Sequence, residues 1–194
     1  MNIWEERYQN EQFGWDAGAP APALVDWCAD CDTRYDKVAA VGLGTGYDLQ
    51  PLSTIADTVI GLDFAQSAKT RFEELVLPQI KHEDLHYLLT DFFSYDPKVG
   101  FNLIWDYTFF CAIEPSERGK WADTMARLIR PGGILLALIF PVVEKEGGPP
   151  FAVIPEEVHA LLSSNFELID SVAPKTSHPG REGKEFITQY RRKS

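Results

Sequence analysis

Apolar positions along this chain follow two rhythms, and the two alternate. Between Lys37 and Pro141, short apolar runs are separated by stretches with helical spacing. The runs predict strands over 38–42, 58–63, 85–91, 101–107 and 133–140, with helices over 48–56, 65–79 and 115–130 between them. A further helix is expected over 155–164, then two strands over 166–173 and 184–191 that meet without a helix and so pair as an antiparallel hairpin. Alternation of this kind predicts an α/β fold, a mostly parallel sheet covered by helices on both faces. Residues 1–35 precede the first strand signal and read as an arm on a Rossmann-like core of residues 36–194, the whole being one domain.

Inside the arm, Trp4 and Tyr8 are one helical turn apart, so a helix there carries both on one face. Phe13-Gly14-Trp15-Asp16 breaks that helix, and Gly18-Ala19-Pro20-Ala21-Pro22 leads into a second amphipathic stretch ending near Cys31. Two readings are open. The rings either staple the arm to the core or form a helical lid whose aromatic faces close over a cationic ligand.

Composition narrows the class. A hydrophobic share of 45% with 24% charged residues is that of a soluble globular chain, and no segment approaches the roughly 18 uninterrupted apolar residues of a membrane span. Met1-Asn2-Ile3-Trp4-Glu5-Glu6 lacks the basic and apolar regions of a secretory signal, so a cytoplasmic location is expected. A net charge of −11 argues against nucleic acid as a partner, because phosphate binding relies on Lys and Arg. Three cysteines are too few for a disulfide framework; Cys28 and Cys31 read as neighbours on one helix face. The histidines are scattered over different elements, and no metal is expected.

The chemistry is expected where the first strand breaks into Gly42-Leu43-Gly44-Thr45-Gly46-Tyr47-Asp48, with Asp63 closing the next strand. Alternate glycines let the backbone turn tightly and approach a ligand, and a carboxylate at the following strand end accepts both hydrogens of a ribose diol. No Lys-Ser or Lys-Thr follows, which excludes a P-loop, and the third glycine comes one residue too early for the dinucleotide fingerprint. A ribose-bearing cofactor without a phosphate to cradle remains, and S-adenosylmethionine is the candidate. In parallel sheets ligands bind at the carboxyl ends of strands, so the other ends matter: Asp63-Phe64, Asp91-Phe92, Asp106-Tyr107-Thr108-Phe109-Phe110 and Phe140-Pro141. Asp91 either accepts from an adenine amine, with Phe92 beside the ring, or caps the following turn. Tyr107 is placed near the reacting centre.

These residues carry a resemblance. Trp4 with Tyr8, Gly14-Trp15-Asp16, the glycine run, Gly61-Leu62-Asp63 and Asp106 to Pro115 resemble the thiopurine methyltransferase superfamily of class I methyltransferases, and within it the halide and thiol methyltransferases. Arg130-Pro131-Gly132-Gly133, Phe140-Pro141 and Gly147-Gly148-Pro149-Pro150-Phe151 continue the likeness nearly end to end. It implies a seven-stranded sheet with its last strand antiparallel, and an arm that closes over the cofactor. By position it implies that Trp4, Tyr8, Trp15, Gly42, Asp63, Asp91, Phe92 and Tyr107 line the S-adenosylmethionine site; Gly44, Phe64 and Asp106, at the same strand ends, are expected to bind the cofactor with them. Two positions depart from the family pattern, Leu43 where cysteine is common and Tyr8 where tryptophan is common.

The expected reaction is in-line transfer of a methyl group to a small soft nucleophile (a halide, hydrosulfide or an organic thiol) with S-adenosylhomocysteine as the second product. A thiol needs no strong base, being a few per cent ionised at neutral pH. A dry aromatic pocket speeds the meeting of a sulfonium with an anion, and Phe109, Phe110, Phe140 and Phe151 are its candidate walls, with Arg181 drawing anions to the mouth. Tyr107 either orients the reactants or is a buried tyrosine satisfied by backbone; Arg181 equally reads as surface. Alternatives are a thiopurine or another bulky thiol, a metalloid such as tellurite, and a non-catalytic protein that only binds the cofactor. A monomer acting on a small molecule is expected.

Overall fold

The computed structural model describes residues 3–194. Its strands are β1 (Tyr35–Val41), β2 (Ala56–Asp63), β3 (Leu85–Leu89), β4 (Phe101–Tyr107), β5 (Ile129–Ile139), β6 (Phe166–Val172) and β7 (Phe186–Arg192). They form one sheet in the order β3-β2-β1-β4-β5-β7-β6. The first five strands pair in parallel, and β7 is inserted antiparallel between β5 and β6. The expected seven-stranded, mostly parallel sheet with its last strand antiparallel is therefore found. The order reverses between β1 and β4, the place where open α/β sheets leave a crevice for a ligand.

Helices cover both faces because successive strand residues point to opposite sides. Val38 and Ala40 face a core that includes Leu24 of α2 (Pro22–Ala29) and Leu49 and Leu52 of α3 (Leu49–Ile55). Ala39 and Val41 face the other core, with Trp121, Met125 and Leu128 of α5 (Arg118–Leu128) and Val158 and Leu162 of α6 (Pro155–Leu162). Burying side chains of this size contributes about 1.5–3 kcal/mol each. The remaining helices are α1 (Ile3–Gln9) in the arm and α4 (Gln66–Arg71) after β2.

Several boundaries differ from expectation. The helix predicted over 65–79 is α-helical only through Arg71; it widens into a π turn at Phe72–Val76 and tightens into a 3-10 turn at Leu77–Gln79. Pro78 supplies no N–H and crowds the carbonyl four residues back, so a regular ladder cannot run up to it. Cys31 lies beyond the end of α2, where its thiol donates to the Thr33 carbonyl. Pro115–Glu117 forms a 3-10 turn ahead of α5. Strand β5 starts at Ile129, directly after α5, and its pairing with β4 breaks between Phe101 and Leu103, where Arg130 to Gly133 bulge out. Among the described residues no helix is long and apolar enough to cross a membrane.

The arm is fastened across the carboxyl edge of the sheet at three places. Glu5 accepts from the Ser67 N–H at 3.1 Å and its hydroxyl at 2.6 Å. Asp16 accepts from the Thr45 hydroxyl at 2.7 Å and from Arg71 at 3.3 Å. Arg181 donates to the Trp15 carbonyl at 2.7 Å.

Candidate active site

The floor of the site is the turn that follows β1. Gly42, Gly44 and Gly46 all have positive φ, at 55°, 56° and 85°. At Gly42 a Cβ would stand 2.2 Å from the Phe109 ring, and at Gly44 it would stand 2.8 Å from the Tyr8 hydroxyl. Conformation and close approach together require glycine there. The Gly44 N–H donates to Asp63 Oδ2 at 2.8 Å, and the Tyr87 hydroxyl holds the Gly44 carbonyl at 2.9 Å. Asp63 Oδ1 accepts from the Ala65 N–H at 2.9 Å. Burial pushes the Asp63 carboxyl above its usual range, while the N–H donors of Ala65 and Gly44 pull the other way. Each of its oxygens accepts one of these N–H groups and keeps a second acceptor position.

Over this floor lies a cleft of about 780 Å³. The arm supplies Trp4, Tyr8 and Trp15 to its wall, and the strand ends supply Phe64, Phe92, Phe93, Phe109 and Phe140. The rings support one another: Trp4 and Tyr8 meet Trp15 edge to face at 5.2 and 5.5 Å, and Phe92 meets Phe109 at 5.1 Å. The two readings of the arm are thus compatible, since the rings that staple it also line the cleft. Cys111 reaches the wall too, but burial pushes its thiol up to about 12, so it stays protonated at neutral pH.

A smaller cavity of about 70 Å³ shares Trp15, Gly42, Thr108 and Arg181 with the cleft and is closed by Asp48, Tyr107 and His178. Here Arg181 reaches from the loop before β7. Its guanidinium lies 5.2 Å from the Tyr107 ring centre and 4.9 Å from that of Phe140, and it donates to the Tyr107 hydroxyl at 2.5 Å. Tyr107 donates in turn to Glu185 Oε1 at 2.5 Å. Asp48 is partly buried, accepting from Trp105 Nε1 and the Ala21 N–H at 2.7 Å each, and desolvation raises its carboxyl.

Most of the residues expected from sequence meet in the cleft: Trp4, Tyr8, Trp15, Gly42, Gly44, Asp63, Phe64, Phe92, Phe109, Phe140 and Arg181. Tyr107 stands at the smaller cavity. Four others lie elsewhere. Asp91, two residues past the end of β3, is exposed and accepts from the Phe93 N–H at 3.0 Å, the turn-capping geometry. Asp106 points into the core beneath the sheet, taking Trp121 Nε1 at 2.8 Å and the Phe110 N–H at 3.2 Å, and burial pushes its carboxyl up to about 6. Phe110 packs on Trp121 at 4.6 Å, and Phe151 folds against Gly148 while Pro149 and Pro150 reach the cleft.

Sequence reasoning passed over Thr108, His178 and Glu185. Thr108 holds φ of 62°, a strained conformation for a β-branched residue, on the rim of both cavities. No local sequence signal marks such a conformation. Glu185 sits 78 residues from Tyr107, and only the sheet order brings them together.

A parallel sheet with this order, an inserted antiparallel strand and a glycine turn beside an acidic strand end defines the Rossmann-like methyltransferase fold. A solved N-methyltransferase, NodS from Bradyrhizobium japonicum WM9 in complex with S-adenosyl-L-homocysteine, shares it with a TM-score of 0.70 at 14% identity, over 88% of this chain and 84% of that one. The sequence model of the thiopurine S-methyltransferase family matches residues 1–191. Probable thiol methyltransferase 2 of Arabidopsis thaliana is 34% identical over 98% of this chain and 85% of its own length. Thiocyanate methyltransferase 1 of the same plant is 30% identical over 97% of this chain and 84% of its own. The chain belongs to the thiopurine S-methyltransferase family and is an S-adenosylmethionine-dependent methyltransferase.

Proposed function

We propose that the protein transfers a methyl group from S-adenosylmethionine to a small soft nucleophile: hydrosulfide, a small organic thiol, thiocyanate or a halide. The observation that carries this reading is the composition of the cleft, a largely aromatic wall at which the Arg181 guanidinium lies over the Tyr107 and Phe140 rings, with a second guanidinium, that of Arg7, over Trp4. Similarity to plant enzymes named for thiols and thiocyanate supports it.

The residues fit the cofactor. Gly42 and Gly44 leave no room for a side chain of their own, so backbone forms the floor. Asp63, steadied by Gly44 and Ala65, keeps acceptor positions for a ribose diol, and Phe64 and Phe92 flank it as walls for an adenine. Trp4, Tyr8 and Trp15 roof the cleft with ring faces that suit a cation. When bound, S-adenosylmethionine supplies a methyl group made electrophilic by its sulfonium charge.

The chain's own residues do the rest. Arg181 holds an anionic nucleophile near the rings, and Tyr107, whose proton is directed to Glu185, presents its oxygen on the same side. The arm excludes water, which would otherwise stabilise separated charges more than a transition state in which they cancel. Fixing the nucleophile in line is the larger contribution.

A competition assay tests the proposal. Purified protein with S-adenosylmethionine and equal hydrosulfide, thiocyanate and iodide is expected to release methanethiol or methyl thiocyanate into the headspace, with methyl iodide present if halides are also accepted. S-adenosylhomocysteine binding without any methylated product from these three or from a panel of larger thiols would leave a binding protein in place of the enzyme proposed.

A further inference from the structure

Glu185, the partner of Tyr107, is a buried carboxylate at a sheet edge. It lies one residue before β7, and because β7 runs antiparallel to β5, with Ile139 opposite Phe186, the start of β7 falls on the sheet edge where β4 ends. A carboxylate is delivered there from the far end of the chain. It is 1% exposed. Oε1 accepts the Tyr107 hydroxyl at 2.5 Å, and Oε2 is buried without a hydrogen-bond partner among the described residues.

The charged and titratable groups around it come from three elements. Tyr107 arrives on β4, Arg181 and His178 on the loop before β7, and Asp48 from the start of α3 on the Arg181 side. Arg181 donates to the Tyr107 hydroxyl and to the Trp15 carbonyl. His178 lies parallel to the Tyr107 ring at 6.5 Å, and burial, then the Arg181 charge, hold it below its usual range, so it stays neutral at pH 7. Burial, then the bond to Glu185, raise the Tyr107 phenol, which keeps its proton at neutral pH and is placed to pass one on.

We propose that Tyr107 and Glu185 form a relay that takes the proton from a neutral thiol substrate as it is methylated; the inference rests on the thiol reading of this cleft. The thiol S–H bond breaks and its proton bonds to the Tyr107 oxygen, while the phenolic O–H breaks toward Glu185 Oε1 and makes a carboxylic acid there. The sulfur uses the electron pair of the broken bond for the new bond to the methyl carbon, whose old bond to the sulfonium breaks with its pair left on the sulfur of S-adenosylhomocysteine, and the proton returns to water by the reverse route once product leaves. A nucleophile that arrives as an anion, such as thiocyanate or iodide, has no proton to give and bypasses the relay.

This makes the effect of Glu185→Gln depend on the nucleophile. An alkyl thiol of pKa about 8.5 is about 3% ionised at pH 7, so a variant confined to thiolate from solution loses about thirtyfold in kcat/KM. That loss should shrink tenfold per pH unit toward the thiol pKa, whereas the wild-type profile stays flat over the same range. With thiocyanate the variant should remain within about threefold of wild type, both in kcat/KM and in calorimetric affinity measured with S-adenosylhomocysteine. Tyr107→Phe should reproduce the thiol loss and its pH profile, and the double variant should lose no more than either alone. Should Glu185→Gln not fold, the Tyr107→Phe profile decides by itself.

Equal losses on thiol and thiocyanate, or an unchanged thiol rate at neutral pH, would overturn the relay while leaving the methyltransferase reading intact. Wild-type protein that methylates thiocyanate or iodide but no thiol would overturn the relay together with the thiol assignment.

Discussion

Asp63 and Asp106 stand at the ends of strands that flank β1 on either side, the first partly buried and the second fully, and they belong to different parts of the molecule. Register explains the divergence. Val41 is level with Leu62 on one side and with Asp106 on the other, so Asp63 clears the sheet edge at the level of Gly42 while Asp106 sits one residue deeper. Alternation then turns Asp106, with Ile104, toward the α5 face, where Trp121 and the Phe110 N–H take it. Asp63 meets the Gly44 and Ala65 N–H groups instead and lines the cleft. An acidic residue at a strand end is thus a site candidate only after its level and its face are known.

The most decisive way to break this comparison is to truncate each carboxylate. Asp63→Ala is expected to weaken S-adenosylhomocysteine binding about 100-fold, about 2.7 kcal/mol, by calorimetry. Asp106→Ala should leave that affinity within about threefold but orphan two buried N–H donors, lowering Tm by about 5–10 °C. Similar affinity losses in both would mean that the two carboxylates are not separated as the geometry says.

A pH experiment sharpens the Asp106 half. Its folded carboxyl, near 6, lies above the ordinary 3.8, so the protonated form is favoured in the fold. The stabilisation linked to that proton is complete below 3.8 and lost as pH rises through about 6, an effect of about 2–3 kcal/mol. Asp106→Asn has no such proton to lose. Unfolding free energies from urea titrations should therefore show wild type losing stability relative to this variant between those pH values, and parallel curves would remove the assignment of burial as the cause.

A smaller effect is expected on the Asp63 side from Gly42→Ala. The added methyl group must displace the Phe109 ring in a left-handed backbone, which should weaken cofactor binding about tenfold and cost about 1–2 kcal/mol of stability. An unchanged affinity would show that the floor tolerates a side chain and that close approach is not its purpose.

How far the chain could be read in advance follows from which features are local. The alternation of runs and helical stretches is written in neighbouring residues, so strand order along the chain, the glycine turn, Asp63 and the aromatic arm were all legible, and the motifs carried the family. Asp91 and Asp106 were legible as strand-end carboxylates but not as to where they point. Phe110, in the 3-10 turn after β4, and Phe151, in the loop after β5, turn away from the cleft although their neighbours line it. Side-chain direction at a strand end depends on the register with the neighbouring strands, and that register is settled by the packing of the whole sheet.

By itself, then, the sequence determined the fold class, the family and the position of the glycine turn, because periodicity and glycine placement act over a few residues. The tertiary structure alone decided that Thr108 is held at positive φ, that Arg181 lies over Tyr107 and Phe140, and that Glu185 receives the Tyr107 hydroxyl. Those contacts exist because β7 is inserted antiparallel beside β5, which carries the loop and strand start from the end of the chain to the edge where β4 stops.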